Sequence, residues 1–233
     1  MKLIKRSILV MALMTPTLSF GQSTTNSIYI QQVGDSSTIT IKQEGQGNEI
    51  GNRTTDTPVV LQGDGQVVDI TMQGNTNKIN GDIKQSDGST TTVEMVGDSN
   101  ELNFDVGNAA DTGGSTTTFD IAGSSNEFNF NQGKVSSATN LTQTFTLTGD
   151  LNTVTQNVET NDVENLFTVA GDSNVITTTQ NGASGKNIEM VLTGDQNNVT
   201  VNQKSTLNVD SIKLNSTSSG STILINQCNA GGC

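Results

Sequence analysis

Along most of the chain apolar and polar residues alternate strictly, in short runs broken by clusters of Gly, Asn, Asp and Ser. In Thr92–Phe104, Val93 and Met95 alternate with polar residues, Gly97-Asp98-Ser99-Asn100 interrupts, and Leu102 and Phe104 resume the alternation. A period of two predicts strands with one buried face. A Gly-Asp-x-Asn tetrad between two such runs predicts a tight turn. The unit recurs with its glycine at Gly34, Gly74, Gly123, Gly149, Gly171 and Gly194. Counted from each glycine, positions −4, −2, +5 and +7 share one face. In the seven units 24 of these 28 positions are apolar, the exceptions being Gln32, Gly81, Gln156 and Thr178, against 8 of the 35 alternate positions. That contrast sets the strand register.

From Gly74 onward the glycines lie 23, 26, 26, 22 and 23 residues apart. Second turns, rich in Gly, Ser, Asn and Asp, fall half a period away at Ser86–Ser89, Gly107–Gly114, Gly133–Ser137, Glu159–Asp162 and Asn181–Gly185. Two degraded units surround Asn52–Thr57 and Ser216. A period of this length marks a solenoid. The pattern therefore predicts an all-β fold, a β-solenoid of about nine strand–turn–strand coils with two stacked parallel sheets. At roughly 4.8 Å per coil the rod would be roughly 40 Å tall.

Stacking equivalent positions groups residues into columns. Phe119, Phe145 and Phe167 share position −4 in consecutive units and form the expected core stack. Asn77, Asn100, Asn126, Asn152, Asn174 and Asn197 share +3, and Gln43, Gln132, Gln180 and Gln203 share +9. Amide columns can hydrogen-bond along the stacking axis and fix register. The asparagines have a second role open to them, since Asn tolerates left-handed turn geometry. Asp150, Asp172 and Asp195 share +1. Carboxylates stacked roughly 5 Å apart repel by about 1 kcal/mol per pair in water, which leaves cation recruitment or simple turn capping as their roles.

Gln-x-Gly-x-x-Asn-x-(apolar)-x-x-x-Gln on a 22–23-residue period resembles the curlin repeat of bacterial curli subunits. Gln32-Val33-Gly34 with Ile39 and Gln43 follows it, with Ser37 in place of Asn. The units at Gly171 and Gly194 match through Gln180 and Gln203, and Ser89 and Ser115 stand eight residues before their glycines, where the curlin motif has serine. The glutamine at −2 survives only at Gln32, and a terminal cysteine pair is foreign to the repeat. The resemblance covers nearly all of residues 22–227. It implies a secreted structural subunit that self-assembles into amyloid-like fibres at the cell surface, for adhesion, biofilm matrix or particle decoration. The partners implied are other copies of the chain, a nucleator subunit and an outer-membrane secretion pore. The competing expectation is a monomeric β-solenoid binding module, a glycan adhesin or an ice-binding surface, suggested by Thr90–Thr92, Thr116–Thr118 and Thr177–Thr179.

Composition narrows these expectations. Residues 1–21 read as a signal peptide: Lys2, Lys5 and Arg6 precede the apolar Ile8–Leu13, and Ser19-Phe20-Gly21 offers a small-x-small cleavage site. Export to an extracellular or cell-surface location follows, with no span long enough for membrane insertion. Removing the leader leaves eight basic residues against 23 acidic ones, a net charge of −15, unsuited to nucleic acid. The chain has no histidine, so His-based acid–base catalysis is excluded; no catalytic constellation, cofactor motif or metal-ligand spacing stands out, and no enzymatic role is expected. Residues 228–233 carry both cysteines, Cys228 and Cys233. In an oxidising compartment they are candidates for a small disulfide loop or for a bridge to a second subunit.

Overall fold

A computed structural model describes residues 26–33, 38–51, 59–62, 65–83, 88–108, 116–134, 141–158, 163–181, 185–204 and 211–228. Every regular element among them is a strand: β1 Asn26–Ile28, β2 Gln31–Val33, β3 Thr38–Glu44, β4 Asn48–Ile50, β5 Val60–Gln62, β6 Val67–Gln73, β7 Asn77–Ile83, β8 Thr90–Val96, β9 Glu101–Asn108, β10 Thr116–Ala122, β11 Glu127–Lys134, β12 Leu141–Thr148, β13 Thr153–Val158, β14 Val163–Ala170, β15 Val175–Asn181, β16 Asn187–Thr193, β17 Asn198–Lys204, β18 Ser211–Thr217 and β19 Thr222–Cys228. Thr, Val, Ile and Phe fill them, residues that pack on a pleated surface and lose rotamer freedom in a helix.

Two parallel sheets face each other. Sheet I has nine strands in the order β1-β4-β7-β9-β11-β13-β15-β17-β19; sheet II has eight, β18-β16-β14-β12-β10-β8-β6-β3. A short pair, β2–β5, makes a third side beside the first coils. Parallel neighbours one coil apart, each joined by a crossover, define a β-solenoid. The inward columns bury against each other: Ile79, Leu102, Phe128, Val154, Ile176 and Val199 from sheet I are 0–1% exposed, as are Ile70, Val93, Phe119, Phe145, Phe167 and Met190 from sheet II.

Phe119, Phe145 and Phe167 sit in adjacent strands β10, β12 and β14. Their rings stack at centroid separations of 4.9 and 4.8 Å, while Phe130 meets Phe119 and Phe145 edge-on. Such pairs add about 0.5–1.5 kcal/mol each beyond the area they bury.

The coil count is smaller than the nine expected. Six regular coils, β6–β7 to β16–β17, have a neighbouring coil on both sides, and β3–β4 and β18–β19 flank them. Counting turn glycines inflates the number because the strand that follows Gly34 in sequence lies in sheet II, whereas the strands that follow Gly74 and the later glycines lie in sheet I. β3, which follows Gly34, pairs with β6, which precedes Gly74. The Gly34 unit thus lies half a coil out of phase, and the equivalent of Gly74 is Gly45, whose carbonyl a Cβ on Gly74 would meet at 1.6 Å.

Candidate functional site: the stacked turns and the outermost coils

The first turn of each coil is built for direct stacking. Ser99, Ser125, Leu151, Ser173 and Gln196, two residues after their glycines, take the left-handed conformation at φ 58–60°. The asparagines one residue later do not, so turn geometry is not what selects them. Each bonds instead. The Nδ2 groups of Asn77, Asn100, Asn126, Asn152, Asn174 and Asn197 donate to the carbonyl of the glycine three residues back at 2.5–3.2 Å. Each Oδ1 accepts from the preceding coil: Asn77 Nδ2 to Asn100 at 2.7 Å, Asn126 Nδ2 to Asn152 at 2.8 Å, and the backbone N–H groups of Asn100, Asn152 and Asn174 to Asn126, Asn174 and Asn197 at 2.9–3.0 Å. All six asparagines are buried. A buried amide in this position would cost about 1–3 kcal/mol if unpaired, so the column enforces register.

The column runs further than the +3 spacing suggested. Asn26 Nδ2 donates to Asn48 Oδ1 at 3.1 Å, Asn48 Nδ2 to Asn77 Oδ1 at 2.8 Å, and Asn197 N–H to Ser221 Oγ at 3.0 Å. Asn48 was legible, since Gly45-Gln46-Gly47-Asn48 repeats the Gly-x-x-Asn spacing. Ser221 was not, because a hydroxyl replaces the amide.

The glutamine column is corrected. Gln43 lies in β3 of sheet II, paired with Met72, and its Nε2 donates to the carbonyls of Asn26 and Glu49 at 3.2 and 3.4 Å. It cannot stack on Gln132, Gln180 and Gln203, which belong to sheet I. Within sheet I, Val158 stands between Gln132 and Gln180, so only Gln180 and Gln203 are neighbours. Both are fully buried, and among the described residues neither amide reaches a hydrogen-bond partner. The side chains of Gln132 and Cys228, and all of Cys233, lie outside the described residues.

The acidic column acts as a set of staples. Asp150 accepts from the N–H of Asp172 at 2.7 Å, Asp172 from Asp195 at 2.6 Å, and Asp195 from Ser219 at 2.8 Å. The Ser219 bond holds the Asp195 carboxyl below the ordinary carboxylate range. Among the described residues no group of three or more acidic, His or Cys side chains is placed to hold a metal ion.

Two of the four polar exceptions also meet. Gln156 of sheet I reaches across the core to Gln143 of sheet II, donates to Asn165 Oδ1 at 3.1 Å and accepts from Thr178 Oγ1 at 2.7 Å. All four are 0% exposed. A polar group inside one sheet found partners in the other, which a pattern read one strand at a time does not reveal.

The outermost coil behaves differently from the rest. Ile223 and Ile225 in β19 align with Val199 and Val201 and point inward, yet are 37% and 42% exposed. β19 ends sheet I and β18 ends sheet II. Among the described residues no further strand pairs with the outer edge of either, and such an edge is a template for another strand. At the other end Ile28, Ile30 and Ile39 are only partly buried. Among the described residues no helix is long and apolar enough to cross a membrane. No protein-family model, curated protein or solved structure matches this chain.

Proposed function

We propose that this chain is a secreted structural subunit, not an enzyme, that assembles end to end into amyloid-like fibres at the cell surface for adhesion or matrix formation. The observation that carries the reading is the pair Ile223 and Ile225, inward by register but 37% and 42% exposed on the outermost described strand of sheet I. A further coil laid on β18 and β19 would bury them as β17 buries its own residues. The Asn column supports the same geometry. It donates in one direction from Asn26 to Ser221, so the Ser221 hydroxyl of one copy can donate to Asn26 of the next. The curlin resemblance agrees with such stacking and adds a nucleator subunit and a secretion pore as partners.

The chain from Gln22 is expected to polymerise from monomer into unbranched fibres that bind amyloid dyes. Diffraction should show a spacing of roughly 4.7–4.8 Å along the fibre axis. Persistence as a monomer at high concentration would contradict the proposal. It would favour the second reading, a discrete binding module, which one observation supports: Thr90 and Thr92, Thr116 and Thr118, and Thr142 and Thr144 align as a block on the outer face of sheet II. Glu94 and Asp120 border that block, and they weaken its fit to ice.

A further inference from the structure

The outer face of sheet I divides in two. Its first half carries charge: Glu49, Lys78, Glu101 and Glu127 align in one column, with Lys78 and Glu101 ion-paired. Its second half carries none in its first three columns. The first three outward positions of β13, β15, β17 and β19, twelve in all, hold only Thr, Asn, Val and Leu, and a fourth column aligns Asn181, Lys204 and Cys228. Thr155, Thr177, Thr200 and Leu224 form the central column, and Val175 and Leu224 are 41% and 50% exposed. Part of the amide complement is already satisfied, since Asn226 Nδ2 bonds Asn202 Oδ1 at 3.0 Å and Asn157 Nδ2 bonds Asn131 Oδ1 at 2.9 Å. Burying such amides costs less than burying free ones.

We propose that this uncharged face is where copies of the chain pack side by side, sheet against sheet. The partner follows from charge. With 23 acidic and 11 basic residues, two copies repel over most orientations. Sheet II opposes its own kind through Asp69, Glu94, Asp120 and Glu164 on its outer face, Glu189 there being paired with Lys213 at 2.6 Å. The first three columns of the second half of sheet I are the broad patch on which neither copy brings a charge, with Lys204 at its margin. Stacked Thr and Asn columns of this type interdigitate in dry zippers.

Four strands about 4.8 Å apart and three outward residues about 6.7 Å apart give roughly 400 Å² per copy. Doubled, that stays below the roughly 1,200 Å² of a stable interface. Isolated copies therefore stay apart, and pairing needs many faces presented together. A filament supplies that array, and to this extent the inference rests on the end-to-end reading.

Two measurements separate the readings: electron micrographs of the polymerised chain, and aggregation of beads densely coated with it. The expected result is paired filaments and clumping beads, both reduced at least tenfold by Thr177→Glu with Thr200→Glu and partly restored by salt. Thr118→Glu with Thr144→Glu, the same change on sheet II, should leave both intact. Absent filaments with beads that clump through this face would sink the end-to-end reading and keep the face. Single filaments, beads that do not clump, or pairing that survives Thr177→Glu with Thr200→Glu would overturn the face.

Discussion

Val199 and Val201 in β17 and Ile223 and Ile225 in β19 occupy the same two inward columns, yet the first pair is 0% and 2% exposed and the second 37% and 42%. The larger side chains are the more exposed. The difference is that, among the described residues, β17 has a strand on each side and β19 has one on one side only. Burial in this fold is supplied by the neighbouring coil, as a nearest-neighbour term. A thin core with few aromatics can then suffice in the middle, while the outermost coils keep unsatisfied apolar surface and strand edges. The contact that stabilises the inner coils is the one that the proposed end-to-end stacking would supply at the boundary.

The comparison breaks most visibly if a charge is placed at equivalent inward sites in the two regions. Phe145→Asp puts a carboxylate between stacked rings at a 0% exposed position, which costs several kcal/mol. Circular dichroism should lose much of its β signal. Ile225→Asp, where water already reaches the side chain, should shift the melting temperature of the unassembled chain far less, yet suppress polymerisation. Equal destabilisation by the two would mean that the last coil is as buried as the inner ones.

A smaller effect sharpens the comparison at the turns. Asp195 of the β16–β17 coil bonds the Ser219 N–H of the last coil, which depresses its carboxyl pKa. A depressed folded-state pKa contributes stability above the ordinary carboxylate range, and that stability is lost as pH falls through the depressed value. Acid should therefore loosen the last coil from its neighbour. Asp195→Asn keeps an acceptor without a charge, so melting curves across this range should depend less steeply on pH in the variant. An unchanged pH profile would count against the staple.

The alternation made the solenoid and most of its registers legible, because period two with one buried face leaves a single solution per strand. Phe119, Phe145 and Phe167 could be aligned from spacing alone, as each follows a glycine-marked frame. The frame failed for the unit counted from Gly34, whose following strand β3 lies in sheet II and not in sheet I, and Gln43 went to the wrong sheet with it. A turn sequence specifies a turn but not which side of a two-sheet coil it closes. The tight repeat of glycine has a cause visible only in three dimensions: a Cβ on Gly97 would stand 1.5 Å from the carbonyl oxygen of Gly74 one coil away. The Gln143–Asn165–Gln156–Thr178 cluster was equally hidden, its partners lying in opposite sheets. The left-handed residue, too, sits at +2 as Ser, Leu or Gln, types that do not advertise the conformation.

Amide hydrogen exchange along β19 and β15, before and after assembly, tests most directly whether the outermost coil is completed by another copy. In the monomer β15, bonded on both sides by β13 and β17, should be protected and β19 should exchange far faster at its free edge. After assembly β19 should approach the protection of β15. Exchange in β19 that stays fast in the assembled state, or is already as slow as β15 in the monomer, would contradict end-to-end stacking.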